Sequence, residues 1–343
     1  MSYDLKIVQE HPAPRYLLVN ADGAIYDISE VLYHILCSYR DNEDCHLVAE
    51  EMNDRYETSW FDDSFIEESV RSAYAKISER ENAGVRQAGR YIRGKITVVK
   101  EGRLGNVYKA VSVLFRGAVF APLLAIALGL TLSFFYVNRL LSPDAIYRAS
   151  KDSLSLLNGV VLYAAFVLLI FLHEIGHAAA STKFGIKPRE IGFGFYWVFP
   201  VFYTNVTDIW LLSKGRRIMV NIAGIYMQLL INAVLISLYY MGTGRTVLFP
   251  LIIANTLSAC TSLIPFFRYD GYWVYSDYWD LPNLQARARS LIASGFRKTM
   301  GDKPPALVVY SLLNLLFWVY VYVTLARYAL YAVTALVHLN RHS

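Results

Sequence analysis

The sequence contains few charged residues and few cysteines. Asp, Glu, Lys and Arg make up 18% of its 343 residues, whereas soluble globular chains carry about a quarter. Because 55% of the residues are hydrophobic and the mean hydropathy is +0.32, we do not expect a purely soluble protein. The three cysteines, Cys37, Cys45 and Cys260, are few and widely separated, which excludes a disulfide framework and a Cys-X-X-Cys zinc knuckle.

The sequence also lacks a signal peptide, since no basic segment followed by an apolar run occurs in the first 40 residues. We therefore expect a cytosolic N-terminus. The charge is uneven: residues 1–80 hold 17 acidic and 7 basic residues, and the remainder holds 11 and 26. The excess basic residues flank apolar runs, which favours a lipid bilayer as partner, and the acidic first part argues against nucleic acid.

Five apolar runs are long enough to cross a bilayer as helices, which takes about 20 residues. They are 114–137, 154–184, 218–241, 247–267 and 306–325. With a cytosolic N-terminus, the inner loops hold six and six Lys or Arg residues and the outer loops three and one, as the positive-inside rule requires. The predicted fold class is mainly α: a polytopic α-helical protein of the cytoplasmic membrane. A continuation at 328–339 is read either as a surface helix or as part of the last span.

A small α+β domain of winged-helix type is predicted for residues 1–80. Two short β-patterned segments flank Asp22-Gly23, a pair that favours a hairpin turn, and three segments with helical periodicity follow. The strands are expected at 16–19 and 24–27, and the helices at 29–38, 45–56 and 64–77. Residues 81–113 are interpreted as a linker with one strand at 91–99, and 114–343 as the membrane-embedded domain.

Near the inner end of the second apolar run, the sequence reads His173-Glu174-Ile175-Gly176-His177. On a helix, the spacing of i and i+4 places both imidazoles on one face, where they can bind one Zn²⁺, with Glu174 beside them as a base. Ionisable groups inside a span are costly unless they meet a metal, water or one another. A satisfied polar cluster at the end of a span is the alternative. Gly176 and residues 178–180 are small enough for close helix packing.

A catalytic zinc site usually takes three protein ligands and one water, so a further ligand must come from elsewhere. Asp270 is the candidate, because the second and fourth runs cross the membrane in the same direction and Pro265 would end the fourth helix. Asp208 is the next candidate. The other carboxylates that could compete are Glu190, Asp277 and Asp280.

The connection at 186–212 is too apolar for a solvated loop. Phe193, Phe195, Trp197 and Phe199 alternate with other residues, and this period of two predicts a strand pair at the inner interface. A free strand edge there could pair with an extended substrate. A hairpin that only plugs the mouth of the site is the alternative.

The His173–His177 segment and Asp270-Gly271 after Pro265 resemble the site-2 protease family of intramembrane zinc metalloproteases. The resemblance implies that His173, His177 and Asp270 bind zinc and that Glu174 is the base. The stretches 269–277, 281–284, 200–204 and 222–232 resemble a narrower branch, encoded with ribosomally made, modified peptides (RiPPs).

The sequence departs from the family eight residues before Asp270. An asparagine usually stands there and helps to hold the substrate or the oxyanion, but here the residue is Ser262. A serine hydroxyl can also donate a hydrogen bond, so Ser262 is the substrate or oxyanion candidate. Asn232 and Asn255 are polar residues inside spans that could substitute for it, or that could only bond a neighbouring helix.

Residues 1–80 resemble PqqD-like domains, which recognise leader peptides, in the hairpin and three-helix order and in the stretch 28–36. Together the resemblances imply a zinc endopeptidase that removes a leader from a small ribosomal peptide precursor during maturation or export. A peptide-modifying enzyme and an ABC-type exporter are possible further partners. The alternatives are regulated cleavage of a transmembrane anchor protein and a non-catalytic metal-binding scaffold of a peptide exporter.

Overall fold

The computed structural model describes residues 3–8, 14–20, 25–87, 92–140, 156–196, 199–242, 244–281, 283–295 and 304–341. The strands are β1 (Tyr3–Val8), β2 (Arg15–Asn20), β3 (Ile25–Ile28), β4 (Ile92–Lys100), β5 (Glu190–Tyr196) and β6 (Phe199–Asn205). The helices are α1 (Glu30–Asn42), α2 (Cys45–Arg55), α3 (Asp63–Gln87), α4 (Gly105–Val111), α5 (Gly117–Val137), α6 (Leu156–Lys183), α7 (Lys214–Tyr240), α8 (Arg245–Ser262), α9 (Asp270–Tyr278), α10 (Leu284–Ala293) and α11 (Pro305–Arg341). The chain divides into two compact units, Met1–Ala259 and Cys260–Ser343.

The N-terminal part of the first unit is an antiparallel sheet of order β1-β2-β3 with α1 to α3. Ser29 caps α1 by accepting the Leu32 N–H at 3.2 Å. The predicted hairpin and three helices are confirmed, and β1 adds a strand that was not predicted; the Asp22-Gly23 turn lies outside the described residues. Sheet and helices share one buried core: Leu18, Ile35, Leu36, Val48, Met52 and Ile66.

Among the described residues, four helices are long and apolar enough to cross a membrane: Gly117–Val137, Leu157–Lys183, Lys214–Tyr240 and Pro305–Tyr328. The structure thus has the predicted class, a polytopic α-helical protein with a small α+β region. The fourth predicted span, over 247–267, is not among these four helices and is wrong in extent, because α8 ends at Ser262 after 18 residues. This helix begins with a charged residue and has polar side chains in its interior, which lower its hydropathy. The run at 328–339 continues α11 without a break.

The predicted strand pair between the second and third spans is confirmed as β5 and β6, which pair with Glu190 opposite Asn205. The sheet has a third member, because β4, from the predicted linker, pairs antiparallel with the other side of β5. The central strand of this sheet is therefore β5. Pairing satisfies backbone groups that water could not reach within a membrane.

Helices α6 and α7 pack closely through small residues. A Cβ built on Gly176 would lie 2.7 Å from the Ala223 carbonyl oxygen and 2.5 Å from Met227 Cγ, both on α7. The three alanines that follow on α6 are fully buried: Ala178, Ala179 and Ala180. The packing role predicted for this stretch is confirmed.

We expect Gly176→Ala to destabilise the protein by about 1–3 kcal/mol, the usual cost of adding a methyl group to a closed interface. The matched control is Gly159→Ala on the same helix, where a Cβ would meet no atom within 4 Å. The measurement is the thermal unfolding midpoint in detergent. Equal midpoints for both variants would contradict this account of the interface.

Candidate metal centre

The three predicted site residues of the first unit lie together on α6 and are at least nine-tenths buried. The exposed fractions are 7% for His173, 8% for Glu174 and 8% for His177. Since the two histidines are one helical turn apart, their rings point to the same face, and their centroids are 4.9 Å apart.

Hydrogen bonds to Nδ1 orient both rings. Nδ1 of His177 lies 2.8 Å from the main-chain oxygen of Val220, and Nδ1 of His173 lies 3.0 Å from Oε1 of Gln228. Both partners are acceptors, so each neutral ring carries its proton on Nδ1 and its lone pair on Nε2. The two Nε2 atoms are 3.1 Å apart. Two lone pairs that face each other repel, so this arrangement favours a proton or a cation between the rings.

The space beside the two Nε2 atoms exists because residue 224 is glycine. A Cβ built on Gly224 would lie 2.5 Å from Nε2 of His177 and closer still to Nε2 of His173. In tetrahedral coordination with Zn–N bonds of about 2.0–2.1 Å, two nitrogens lie about 3.3 Å apart. The separation of the two Nε2 atoms and the space at Gly224 therefore fit a zinc ion.

Three residues of α7, spaced four positions apart, either bond the histidines or leave space beside them. Val220 supplies the carbonyl for His177, Gly224 leaves the space, and Gln228 holds His173. The sequence prediction assigned none of these roles. These three residues of α7 are spaced by four positions, as are the two histidines, so both sets lie on one face of their helices. Sequence alone does not show which turn of α7 faces which turn of α6, so this spacing could not be interpreted without the structure.

Thr204 of β6 contacts the predicted base. Its hydroxyl lies 2.7 Å from Oε2 and 3.0 Å from the main-chain oxygen of Glu174. A hydroxyl that donates to a carboxylate limits the rotation of that carboxylate. Strand β6 thus contacts the turn of α6 that contains Glu174.

Two competing carboxylates of the first unit have other partners. Asp208 accepts two hydrogen bonds from the guanidinium of Arg189, the shorter 2.7 Å long. Glu190 accepts from the hydroxyls of Thr97 at 2.6 Å and Tyr203 at 3.1 Å. Burial, with the neighbouring Glu190 charge, raises the pKa of Tyr203 to about 12, so the phenol keeps its proton and remains a donor.

Asn232 and Asn255, considered above as substitutes for the missing asparagine, bond neighbouring groups. The Asn255 amide nitrogen donates to the Gln228 main-chain oxygen at 2.9 Å and to Asn232 Oδ1 at 2.8 Å. The Asn232 amide nitrogen donates to Thr256 at 2.8 Å. These bonds join α7 to α8, so the two asparagines bond a neighbouring helix, which is the second of the two roles considered for them.

The other two predicted site residues, Ser262 and Asp270, belong to the second unit. Ser262 is the last residue of α8, and Asp270 is the first residue of α9. A Cβ on Gly271 would collide with the Leu263 carbonyl, so the chain returns tightly on itself beside Asp270. Their assignments remain predictions.

The segment between α8 and α9 is held by side chains of α10 and α11. The Tyr310 hydroxyl donates to the Pro265 carbonyl at 3.0 Å. The Gln285 amide donates to the Phe266 carbonyl at 3.0 Å and accepts from Arg268 Nε at 2.9 Å. These contacts fix the backbone that leads to the start of α9.

This chain is similar to a curated protein of Bacillus subtilis (strain 168) named "Putative peptide zinc metalloprotease protein YydH". The two are 30% identical over 116 residues, which are 33% of this chain and 45% of the relative. The match therefore spans less than half of the relative. No family model matches the chain, and no solved structure matches it.

We expect Gly224→Ala to abolish zinc binding, because the added methyl group would occupy the space beside both Nε2 atoms. Gly215→Ala, on the same helix and open to 4 Å, is the control and should bind zinc like the wild type. Metal content per chain after purification measures the difference. If Gly224→Ala is folded and retains its zinc, the position assigned to the metal is wrong.

Proposed function

We propose that this chain is a membrane-embedded zinc endopeptidase of the site-2 protease type. The observation that carries the proposal is the 3.1 Å approach of the His173 and His177 Nε2 atoms on a membrane-length helix, with Glu174 next to His173 and Gly224 leaving space beside them. The similarity to a protein named as a peptide zinc metalloprotease supports it.

Asp270 is proposed as the third zinc ligand. In its favour, the next candidate, Asp208, is held by Arg189, and Glu190 is held by two hydroxyls. Asp270 also begins a helix after a segment held by the second unit's own hydrogen bonds, which would reduce the cost of ordering it. Ser262 is proposed as a donor to the substrate or the oxyanion.

The chemistry follows from the roles of the side chains. A bound zinc ion would lower the pKa of a coordinated water and polarise the scissile carbonyl. Glu174 takes a proton from the attacking water at its carboxylate and gives it to the leaving amine. Thr204 holds that carboxylate through Oε2, while Val220 and Gln228 hold the histidine rings.

The proposed substrate is a small ribosomal peptide precursor of the RiPP class, cleaved during maturation or export. Residues 1–80 would act as a PqqD-like domain that binds the leader, and their acidic charge of −10 suits a basic or neutral peptide and disfavours nucleic acid. We place the protein in the cytoplasmic membrane with a cytosolic N-terminus. A modifying enzyme and an ABC-type exporter are proposed as further partners.

The ligand set is tested by comparing two aspartates. Asp270→Asn should lose zinc, because an amide is a poor replacement for a ligating carboxylate. Asp208→Asn should retain about one zinc per chain, because its carboxylate is engaged by Arg189. Zinc is measured in the purified proteins. The reverse result would move the third ligand to Asp208.

The activity is tested with Glu174→Gln, which should retain zinc and lose cleavage, because the glutamate is assigned as the base and not as a ligand. Peptides that accumulate in the producing cell are compared by mass spectrometry for the wild type and the variant. We expect the variant to accumulate a precursor that still carries its leader. Identical peptide profiles, with both proteins folded and zinc-loaded, would contradict the proposed proteolysis.

A further inference from the structure

A chain of buried amides leads away from His173 through α7 to α8. Gln228, Asn232 and Asn255 are each at most 1% exposed. The Gln228 amide nitrogen donates to Asn255 Oδ1 at 3.2 Å and to Ser258 Oγ at 3.1 Å. Unsatisfied amides would be costly in such a place, and here each amide is bonded to the next.

The two histidines differ in what orients them. The partner of His177 is a main-chain carbonyl, which can only accept. The partner of His173 is a side-chain amide, which offers an oxygen on one side and an NH₂ group on the other. If the Gln228 amide were reversed, it would donate to Nδ1 of His173. The ring proton would then move to Nε2, and this nitrogen could no longer bind a metal.

The orientation of Gln228 depends in turn on Asn255. Asn255 donates to the main-chain oxygen of Gln228 at 2.9 Å and to Oδ1 of Asn232 at 2.8 Å. Because a main-chain carbonyl cannot be reversed, the Asn255 amide must turn its nitrogen that way and its oxygen toward the Gln228 amide nitrogen. Asn232 is fixed similarly by Thr256, which donates to the Ile252 carbonyl.

We propose that Gln228 and Asn255 are positioning residues that set the tautomer of His173 and thereby its ability to bind metal. The Gln228 main-chain oxygen orients the Asn255 amide, and the Asn255 amide orients the Gln228 side chain. The Gln228 side chain in turn orients the ring of His173. The metal-binding part of this inference rests on the proposed zinc site and not on proteolysis. Asn255 acts on the site through Gln228.

The test uses the full chain in detergent and two measurements. One is the zinc affinity, obtained by competition with a chelator. The other is the ¹⁵N NMR signal of the His173 ring in zinc-free protein, assigned by its loss in His173→Gln. In the wild type we expect a proton on Nδ1 of His173, bonded to the Gln228 oxygen. A His173 ring that lacks a proton on Nδ1 would overturn the proposal without any variant.

Asn255→Leu removes the group that orients Gln228 without touching the histidine. We expect zinc affinity to fall about ten- to hundredfold, the usual effect of losing support behind a metal ligand, and the His173 ring to show both tautomers. Gln228→Met, which removes the acceptor itself, should show the same changes and serves if Asn255→Leu does not fold. Asn314→Leu, which removes a buried asparagine from α11, is the control and should leave both measurements unchanged.

The outcomes separate this proposal from the proposed function. If the wild-type protein binds zinc but cleaves no peptide, the proposed proteolysis is wrong. Zinc affinity and the His173 ring signal can then still test the roles of Gln228 and Asn255. Wild-type protein that binds no zinc contradicts the zinc site, while the tautomer measurement still decides the role of the two amides. Folded Asn255→Leu and Gln228→Met proteins with wild-type zinc affinity and a single wild-type tautomer would overturn the proposal.

Discussion

The site depends on the close contact between α6 and α7. Packed helices usually lie 8–10 Å apart, a distance set by the side chains at the contact, and small residues allow a closer approach. Gly176 on α6 and Gly224 on α7 both lie where a methyl group would collide with the facing helix. This proximity lets His177 bond directly to the main-chain oxygen of Val220. His177 is therefore oriented by a helix backbone, which is more rigid than a loop.

The sheet of β4, β5 and β6 adds a second support for the same turn of α6. It joins residues from before the first candidate span to the connection between the second and third. Through Thr204, its strand β6 contacts Glu174. A displacement of that strand would therefore change the position of the carboxylate. In the first unit, the proposed base is thus held by strand β6, and the two histidine ligands are held by helix α7.

Much of this could be predicted from local patterns. The spacing of His173 and His177 determines that they share a helix face, and the alternation of aromatic residues predicted β5 and β6. The roles of Gly224 and Gln228 could not be predicted, because they depend on which turn of α7 faces α6, and a single sequence carries no such register. The fourth span was overestimated because an apolar average conceals residues such as Asn255, whose amide bonds α7. Strand β1 was missed although the apolar residues Tyr3, Leu5 and Ile7 alternate with charged residues.

Helix α11 is longer than one crossing of a bilayer requires. At 1.5 Å per residue, its 37 residues form a rod of about 55 Å, whereas the hydrocarbon core of a bilayer is about 30 Å thick. Tilts of 20–40° shorten the projection of such a rod only to roughly 42–52 Å. At least one end must therefore extend beyond the hydrocarbon core.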